Sequence, residues 1–268
     1  MCGSTERSPF VERETFTFVR CSCDLVYKSR DQVPSSQQPP ALWNERYTKR
    51  RRHRVAKSRR QILDLLNHVA PGPLLDVGCS LGYTMEAAKQ LGLDAHGIDV
   101  NPDVLEMCRE RGFDVEFGDV EGPYPFENDT FRMVIMKHVL EHTPDPRSAI
   151  REARRVLAPG GGLFVALPNL DFYRAARSPE THHFFNTGGN QHFVYYATRH
   201  LSRLLEQEGL QLARVHPHLW QRHATPLEKL ASAALLPLRA VVSATRTRLD
   251  LRPEFWLMAT QPEATLQR

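Results

Sequence analysis

Three groups of residues in this chain are spaced for chemistry. The run Asp76-Val77-Gly78-Cys79-Ser80-Leu81-Gly82 sets two glycines directly behind a short apolar stretch. Missing side chains let backbone approach a ligand, and the amides that open a following helix are unpaired donors. Asp99 stands 23 residues after Asp76, where an acid at the end of a second strand can accept hydrogen bonds from both hydroxyls of an adenosine ribose. Asp119, within Phe117-Gly118-Asp119-Val120, is placed to accept from an exocyclic adenine amine while the next amide meets a ring nitrogen. The third group is histidine: His138, His142, His182, His183 and His192, any of which could take a proton near neutral pH.

For these residues to meet, strand and helix must alternate between them. Apolar runs predict strands over 74–77, 95–100, 115–117, 131–136, 162–167, 210–215 and 255–260. Helical periodicity predicts helices over 43–69, 84–91, 102–111, 146–157, 197–208 and about 227–242. Pro71-Gly72-Pro73 stops the first helix, Pro159-Gly160-Gly161 introduces the fifth strand, and Gly209 ends the 197–208 helix. Such alternation is the pattern of a Rossmann-like, doubly wound α/β sheet, whose ligands lie at the carboxyl ends of the strands. Residues 169–194 read as irregular.

Taken together, Leu75-Asp76-Val77-Gly78-Cys79-x-x-Gly82, Gly97-Ile98-Asp99, Gly118-Asp119, Phe131 with Val134, Val139-Leu140-Glu141-His142 and Val156-Leu157-x-Pro159-Gly160-Gly161 resemble the class I S-adenosylmethionine-dependent methyltransferases. More narrowly, they are similar to the small-molecule branch typified by ubiquinone-biosynthesis O-methyltransferases, as is His192-Phe193-x-Tyr195-Tyr196-x-x-x-His200-Leu201. The resemblance implies a seven-stranded, mostly parallel sheet with an antiparallel last strand and S-adenosylmethionine as cofactor. The cofactor set expected is Asp76, Gly78, Cys79, Gly82, Asp99, Val100, Asp119, Val120, Lys137 and His138. Methyl transfer from a sulfonium is a direct displacement, so the protein orients donor and acceptor and removes a proton from the acceptor. His192 is the first candidate for that base and His142 the second.

Two rival chemistries are visible. His138-x-x-Glu141-His142 matches a zinc-protease signature, but no third ligand or long helix accompanies it and the same letters suit the methyltransferase branch, so no metal is expected. An enzyme methylating nucleic-acid bases would carry Asn or Asp-Pro-Pro-aromatic after the fourth strand, where this chain has Lys137-His138. That favours oxygen or carbon acceptors, and the resemblance to O-methyltransferases makes the expected reaction methylation of a hydroxyl on a small molecule: a glycan precursor, quinone or secondary metabolite. Methylation at carbon or nitrogen, or a cofactor-binding module without catalysis, are the alternatives.

The chain of 268 residues is 41% hydrophobic, enough to bury a core. No run of about twenty apolar residues is present, and charges at Glu6, Arg7, Glu12, Arg13 and Glu14 occupy the place a signal peptide would need. Five scattered cysteines, an odd number, fit reduced thiols, and the expectation is a cytoplasmic protein, monomer or homodimer. Its net charge of +4 conceals nine Lys or Arg without an acid between Arg46 and Arg60. That run is read as a solvated helix face open to an anionic small acceptor; no nucleic-acid partner is expected. The apolar 227–242 segment could serve a lipophilic one.

The division expected is an N-terminal extension, 1–40, and a methyltransferase domain, 41–268, opened by the basic cap helix. Within the extension, Cys21-Ser22-Cys23-Asp24-Leu25-Val26-Tyr27 resembles the second half of a zinc ribbon, but Cys-x-Cys with only Cys2 upstream falls short of four ligands. Val33 to Pro40 reads as a linker.

Overall fold

Leu74-Leu75-Asp76-Val77 is a run with no exposed face, and all four residues are buried at the centre of a seven-stranded sheet. The computed structural model describes residues 6–12, 17–29, 50–172, 192–217 and 254–263. In chain order the strands of this sheet are β4 (Leu74–Val77), β5 (Ala95–Asp99), β6 (Asp114–Phe117), β7 (Phe131–Lys137), β8 (Leu157–Pro168), β10 (Gln211–Pro217) and β11 (Glu254–Thr260). Their order across the sheet is β10-β11-β8-β7-β4-β5-β6. The pairs β7-β8, β4-β7, β4-β5 and β5-β6 are parallel, and β11 is antiparallel to both of its neighbours. The winding reverses between β4 and β7, so a crevice opens above their carboxyl ends.

Among the described residues the helices are α1 (Arg51–Leu65), α2 (Tyr83–Gln90), α3 (Pro102–Glu110), α4 (Pro146–Val156) and α5 (Thr198–Gln207). Each boundary has a local cause. The Asn101 side chain accepts from the amides of Asp103 and Val104, and Pro102 fills the first helical position of α3. Asp145 caps α4 in the same way through the Ser148 amide. On α4, Pro146, Ala149, Ile150, Ala153 and Val156 form the buried stripe while Arg147, Arg151 and Arg154 stay outside it. Arg147 and Arg151 both pair with Glu208, behind α5. No described helix is long and apolar enough to cross a membrane.

The N-terminal residues add strands that composition did not announce. β1 (Arg7–Glu12), β2 (Thr17–Cys21) and β3 (Val26–Lys28) form a meander whose last strand pairs with β9 (Val194–Tyr195), a strand of the region expected to be irregular. Val11, Phe18, Val26, Leu170, Tyr195 and Ala197 share one apolar cluster beneath it. The Lys28 amide donates to the Phe193 carbonyl at 2.8 Å. His200 spans the joint: its Nδ1 accepts from the Ala197 amide at 3.1 Å, which leaves Nε2 as the N–H that donates to the Cys23 carbonyl at 2.9 Å. Residues 6–12 and 17–29 thus brace the segment that carries His192. The linker at 33–40, the first turns of the 43–69 helix, the 227–242 helix and the pair His182 and His183 lie outside the described residues.

Candidate functional site

The turn after β4 is held in backbone conformations that L side chains avoid. Gly78 has φ +69°, Ser80 +51° and Gly82 +70°. A Cβ on Gly78 would stand 2.5 Å from Val139 Cγ2, and one on Gly82 would stand 2.9 Å from the Phe113 ring. The turn is tied to β5: the amides of Gly78 and Cys79 donate to the Ile98 carbonyl, and the Ser80 amide donates to Asp99 Oδ2 at 2.9 Å. The other Asp99 oxygen accepts from the Asn101 amide at 3.0 Å. Burial raises the pKa of Asp99, while the Ser80 and Asn101 amides oppose that shift.

Beside Asp99 the sheet edge leaves apolar surface uncovered. Val100 is exposed, and Phe117, opposite Asp99 in the β5-β6 register, is 63% exposed. Asp119 follows on the same edge, exposed, with Oδ1 accepting locally from the Glu121 amide at 3.0 Å; Val120 is half-buried. A planar group laid across Val100 and Phe117 would reach the carboxylates on either side.

Under the turn two groups of opposite charge influence each other. Burial pushes the Asp76 carboxyl up to about 6 and Lys137 down to about 8, each restrained by the charge of the other. The Lys137 Nζ donates to Ser58 Oγ at 2.7 Å, so α1 is drawn over the carboxyl ends of the strands. Lys57, one residue earlier, reaches both oxygens of Glu254 at 3.0 Å.

His138 has φ +53° and turns its ring toward the last strand rather than toward the glycine turn. Its Nε2 lies 3.0 Å from Glu254 Oε1 and its Nδ1 lies 3.4 Å from Glu141 Oε1. Burial opposes a charge there, yet the Glu254 and Glu141 carboxylates hold the imidazole up at about 9. A folded-state value above the ordinary one means that this group stabilises the fold fully below its unfolded pKa near 6.5, and that the contribution is lost as pH rises through 9. Between about pH 7 and 8 Asp76 and His192 add little slope, while Lys137, lowered to about 8, gives an opposing slope that grows toward pH 8. Wild-type protein is therefore expected to lose stability across that interval and Glu254→Gln to lose much less, measured by urea unfolding at each pH. The slope is bounded at about 1.4 kcal/mol per pH unit for one proton and is smaller here, because the His138 side chain is 45% exposed.

On the other side of the crevice, Leu140–His142 forms a single 3-10 turn and brings Glu141, His142 and His192 together. The His142 and His192 rings are 4.7 Å apart between centroids. Burial drops the His192 imidazole to about 4, although Glu141 pulls it the other way; it is neutral at physiological pH. Glu141 is held below the usual carboxylate range by His138, despite its burial. Donor atoms of Glu141, His142 and His192 all lie within 4.8 Å of one another, which could hold a cation. This is not the protease arrangement, in which two imidazoles on one helix face share the metal: His138 is committed to Glu254, and no helix carries the motif.

A family model described as a methyltransferase domain matches residues 47–215. This chain belongs to that family. Similar curated proteins are the ubiquinone biosynthesis O-methyltransferase of Methylococcus capsulatus, 34% identical over 123 residues (44% of this chain, 52% of that one), and the enzyme of the same description from Aliivibrio fischeri, 26% identical over 160 residues (56% and 68%). The chain spans about half the length of the first of these. Among solved structures it resembles the putative methyltransferase in complex with the Haloferax volcanii Trm112 methyltransferase activator (TM-score 0.58, 15% identity, covering 82% and 96%). It also resembles a SAM-dependent methyltransferase of Archaeoglobus fulgidus (TM-score 0.56, 16% identity, 81% and 100%). Identities this low speak for the fold, which is the Rossmann-like fold of S-adenosylmethionine-dependent class I methyltransferases.

In this methyltransferase domain the expected residues fall into two sets. Asp76, Gly78, Cys79, Gly82, Asp99, Val100, Asp119, Val120 and Lys137 lie along the carboxyl ends of β4 to β7, and His142 and His192 face each other across the next turn. His138 stands between the sets. Sequence reasoning missed Lys57 and Ser58, which helical spacing could have placed on one face of α1, and Glu254, whose role nothing near it in sequence discloses. Tyr196, named from sequence only within a motif, has a hydroxyl that is buried without a hydrogen-bond partner among the described residues, near Glu141 and Asp145. Removing an unsatisfied buried hydroxyl is neutral or favourable. Tyr196→Phe should therefore keep its stability or gain up to about 1 kcal/mol in chemical denaturation; a loss of 2 kcal/mol would show that the hydroxyl has a bound partner.

Proposed function

We propose that this domain transfers a methyl group from S-adenosylmethionine to a hydroxyl of a small molecule. The observation carrying the reading is the fixed placement of Asp99, both oxygens held by the Ser80 and Asn101 amides, beside a turn whose left-handed Gly78 and Gly82 leave no room for a side chain. The fit to the nucleoside is supported by Ser80 Oγ, which is buried and has no partner among the described residues, and by the uncovered Val100 and Phe117. Bound in that crevice, the sulfonium would supply an electrophilic methyl group.

In this reading the remaining lone pairs of Asp99 take the ribose hydroxyls, Asp119 takes the adenine amine, and Gly78 to Gly82 pass along the methionine portion. Val100 and Val120 flank the adenine. Lys137, neutralised by Asp76, keeps the turn and α1 in register. His192, neutral and beside Glu141, takes the acceptor proton at a ring nitrogen, and the Glu141 carboxylate stabilises the imidazolium that results. His142 shares the same carboxylate and is the second candidate. His138, already cationic, is a poor base and supports the acceptor side electrostatically.

Isothermal titration with S-adenosylmethionine, followed by incubation of the protein with methyl-labelled cofactor and a small-molecule extract, tests the proposal. Micromolar binding and label on a hydroxyl-bearing product are expected. Binding without any labelled product would leave a cofactor-binding module, and no binding would end the reading.

A further inference from the structure

Away from the crevice, a cavity of about 150 Å³ opens between α5 and the turn that joins β2 to β3. Arg199, Arg203 and Gln207, a row spaced by four residues on α5, make one wall with Leu204 beside them. Cys23 and Leu25 make the other. Leu25 and Leu204 are both buried, which gives the cavity apolar sides. The hydrogen bond from His200 Nε2 to the Cys23 carbonyl pins the two walls together. None of these residues belongs to the set along the carboxyl ends of β4 to β7.

The polar groups of the cavity are not equivalent. Arg199 is already answered: its Nη1 donates to Asp171 Oδ2 at 2.6 Å, and Asp24 Oδ2 lies 3.8 Å from its Nη2. The Oε1 of Gln207 accepts from Arg147 Nη2 at 3.0 Å, which leaves the Gln207 amide NH2 as a donor. Arg203 has neither an ion pair nor a hydrogen bond among the described residues. An arginine without a partner is ordinary on an open surface, but this one lines a cavity with apolar sides. Its guanidinium offers two parallel N–H bonds to a planar anion, and the neighbouring amide adds another.

We propose that this cavity binds a small aromatic carboxylate, with the carboxylate on Arg203 and Gln207 and the ring against Leu25 and Leu204. The size agrees, since an apolar cavity of about 150 Å³ accommodates a benzene ring. The charge agrees as well. Asp171 balances Arg199, so Arg203 is the one positive charge left over, and Asp24 beside Arg199 repels a phosphate dianion more than a monoanion. The site is separate from the methyl-transfer reading and stands or falls without it.

Benzoate is the probe, titrated by calorimetry into the full-length protein. A single site with a dissociation constant of about 1 mM or tighter is expected, the range open to a ligand of this size. Arg203→Ala should weaken it by about tenfold or more, because a bidentate charge-assisted pair is lost. Gln207→Glu, which sets a carboxylate at the mouth, should weaken it by a similar factor. Both residues are exposed, so urea unfolding should find either variant as stable as wild type. Benzyl alcohol, the same ring without the charge, should bind at least about tenfold more weakly than benzoate. An absence of benzoate binding in the millimolar range would overturn the proposal. Unchanged affinity in Arg203→Ala would place the ligand elsewhere, the crevice included, and overturn it too; should that variant not fold, Gln207→Glu decides the same question. Inorganic phosphate that displaces benzoate at equal concentration would mark Arg203 as a site for any anion and remove the carboxylate assignment.

Discussion

His192→Ala is expected to lower methyl transfer by about two orders of magnitude or more while S-adenosylmethionine binds as before. The size follows from the work assigned to the ring. An acceptor hydroxyl is a weak nucleophile until its proton leaves, and a base within hydrogen-bond reach is worth about 10²–10⁴-fold. Burial keeps His192 neutral, with a pKa of about 4, and Glu141 lies close enough to steady the charge that appears on proton uptake. The same value predicts that the rate between pH 6 and 8 does not climb through the ordinary histidine pKa on account of this residue. Because His192 adjoins β9, His192→Gln and circular dichroism separate loss of the base from loss of the strand. Unchanged labelling with either variant would take His192 out of the reaction, and a matching loss in His142→Ala alone would transfer the role to its neighbour.

Asp99→Ala should weaken S-adenosylmethionine binding by about 2–3 kcal/mol, roughly 30- to 150-fold in the dissociation constant. Two contributions add. The ribose hydroxyls lose a charged acceptor, and the Ser80 and Asn101 amides lose the oxygens that hold the turn and the start of α3 in place. Asp99→Asn retains the shape and one acceptor oxygen but no charge, so its loss should be smaller. Calorimetric affinity equal to wild type in Asp99→Ala would contradict the assignment of the ribose to this residue.

These two residues also mark how far the amino-acid order could be followed. Asp99 was legible because three signals agree: glycines behind an apolar run, an acid closing the next run, and a spacing that fits one strand-helix-strand unit. The parallel sheet was legible for the same reason, since periods of 2 and 3.6 are properties of neighbours along the chain. The N-terminal meander was not. Its strands are three to six residues long, too short for a period to emerge, and one of its partners is β9, more than 160 residues away. The edges of most elements shifted by a residue or two, but β8 begins at Leu157, five residues before the expected start and through the expected turn at 159–161, as soon as α4 ends.

The histidines divide along the same line. Sequence reasoning put His138 in the cofactor set and ranked His192 ahead of His142 as base, but could not give their charge states, because an isolated imidazole titrates near 6.5 wherever it stands. Tertiary structure separates them: His138 between two carboxylates is held cationic, and His192 under a buried turn is held neutral. What the order of residues determined by itself is the local material, a turn that needs glycine at 78 and 82, acids at strand ends and an amphipathic helix to cover them. What only the folded chain decided is charge state and closure, with Lys57 and Glu254 meeting across 197 positions and Glu254 in turn setting His138. The physical reason is that backbone propensity depends on the next few residues, whereas a pKa depends on whatever lies within a few ångströms, and distance along the chain does not record that.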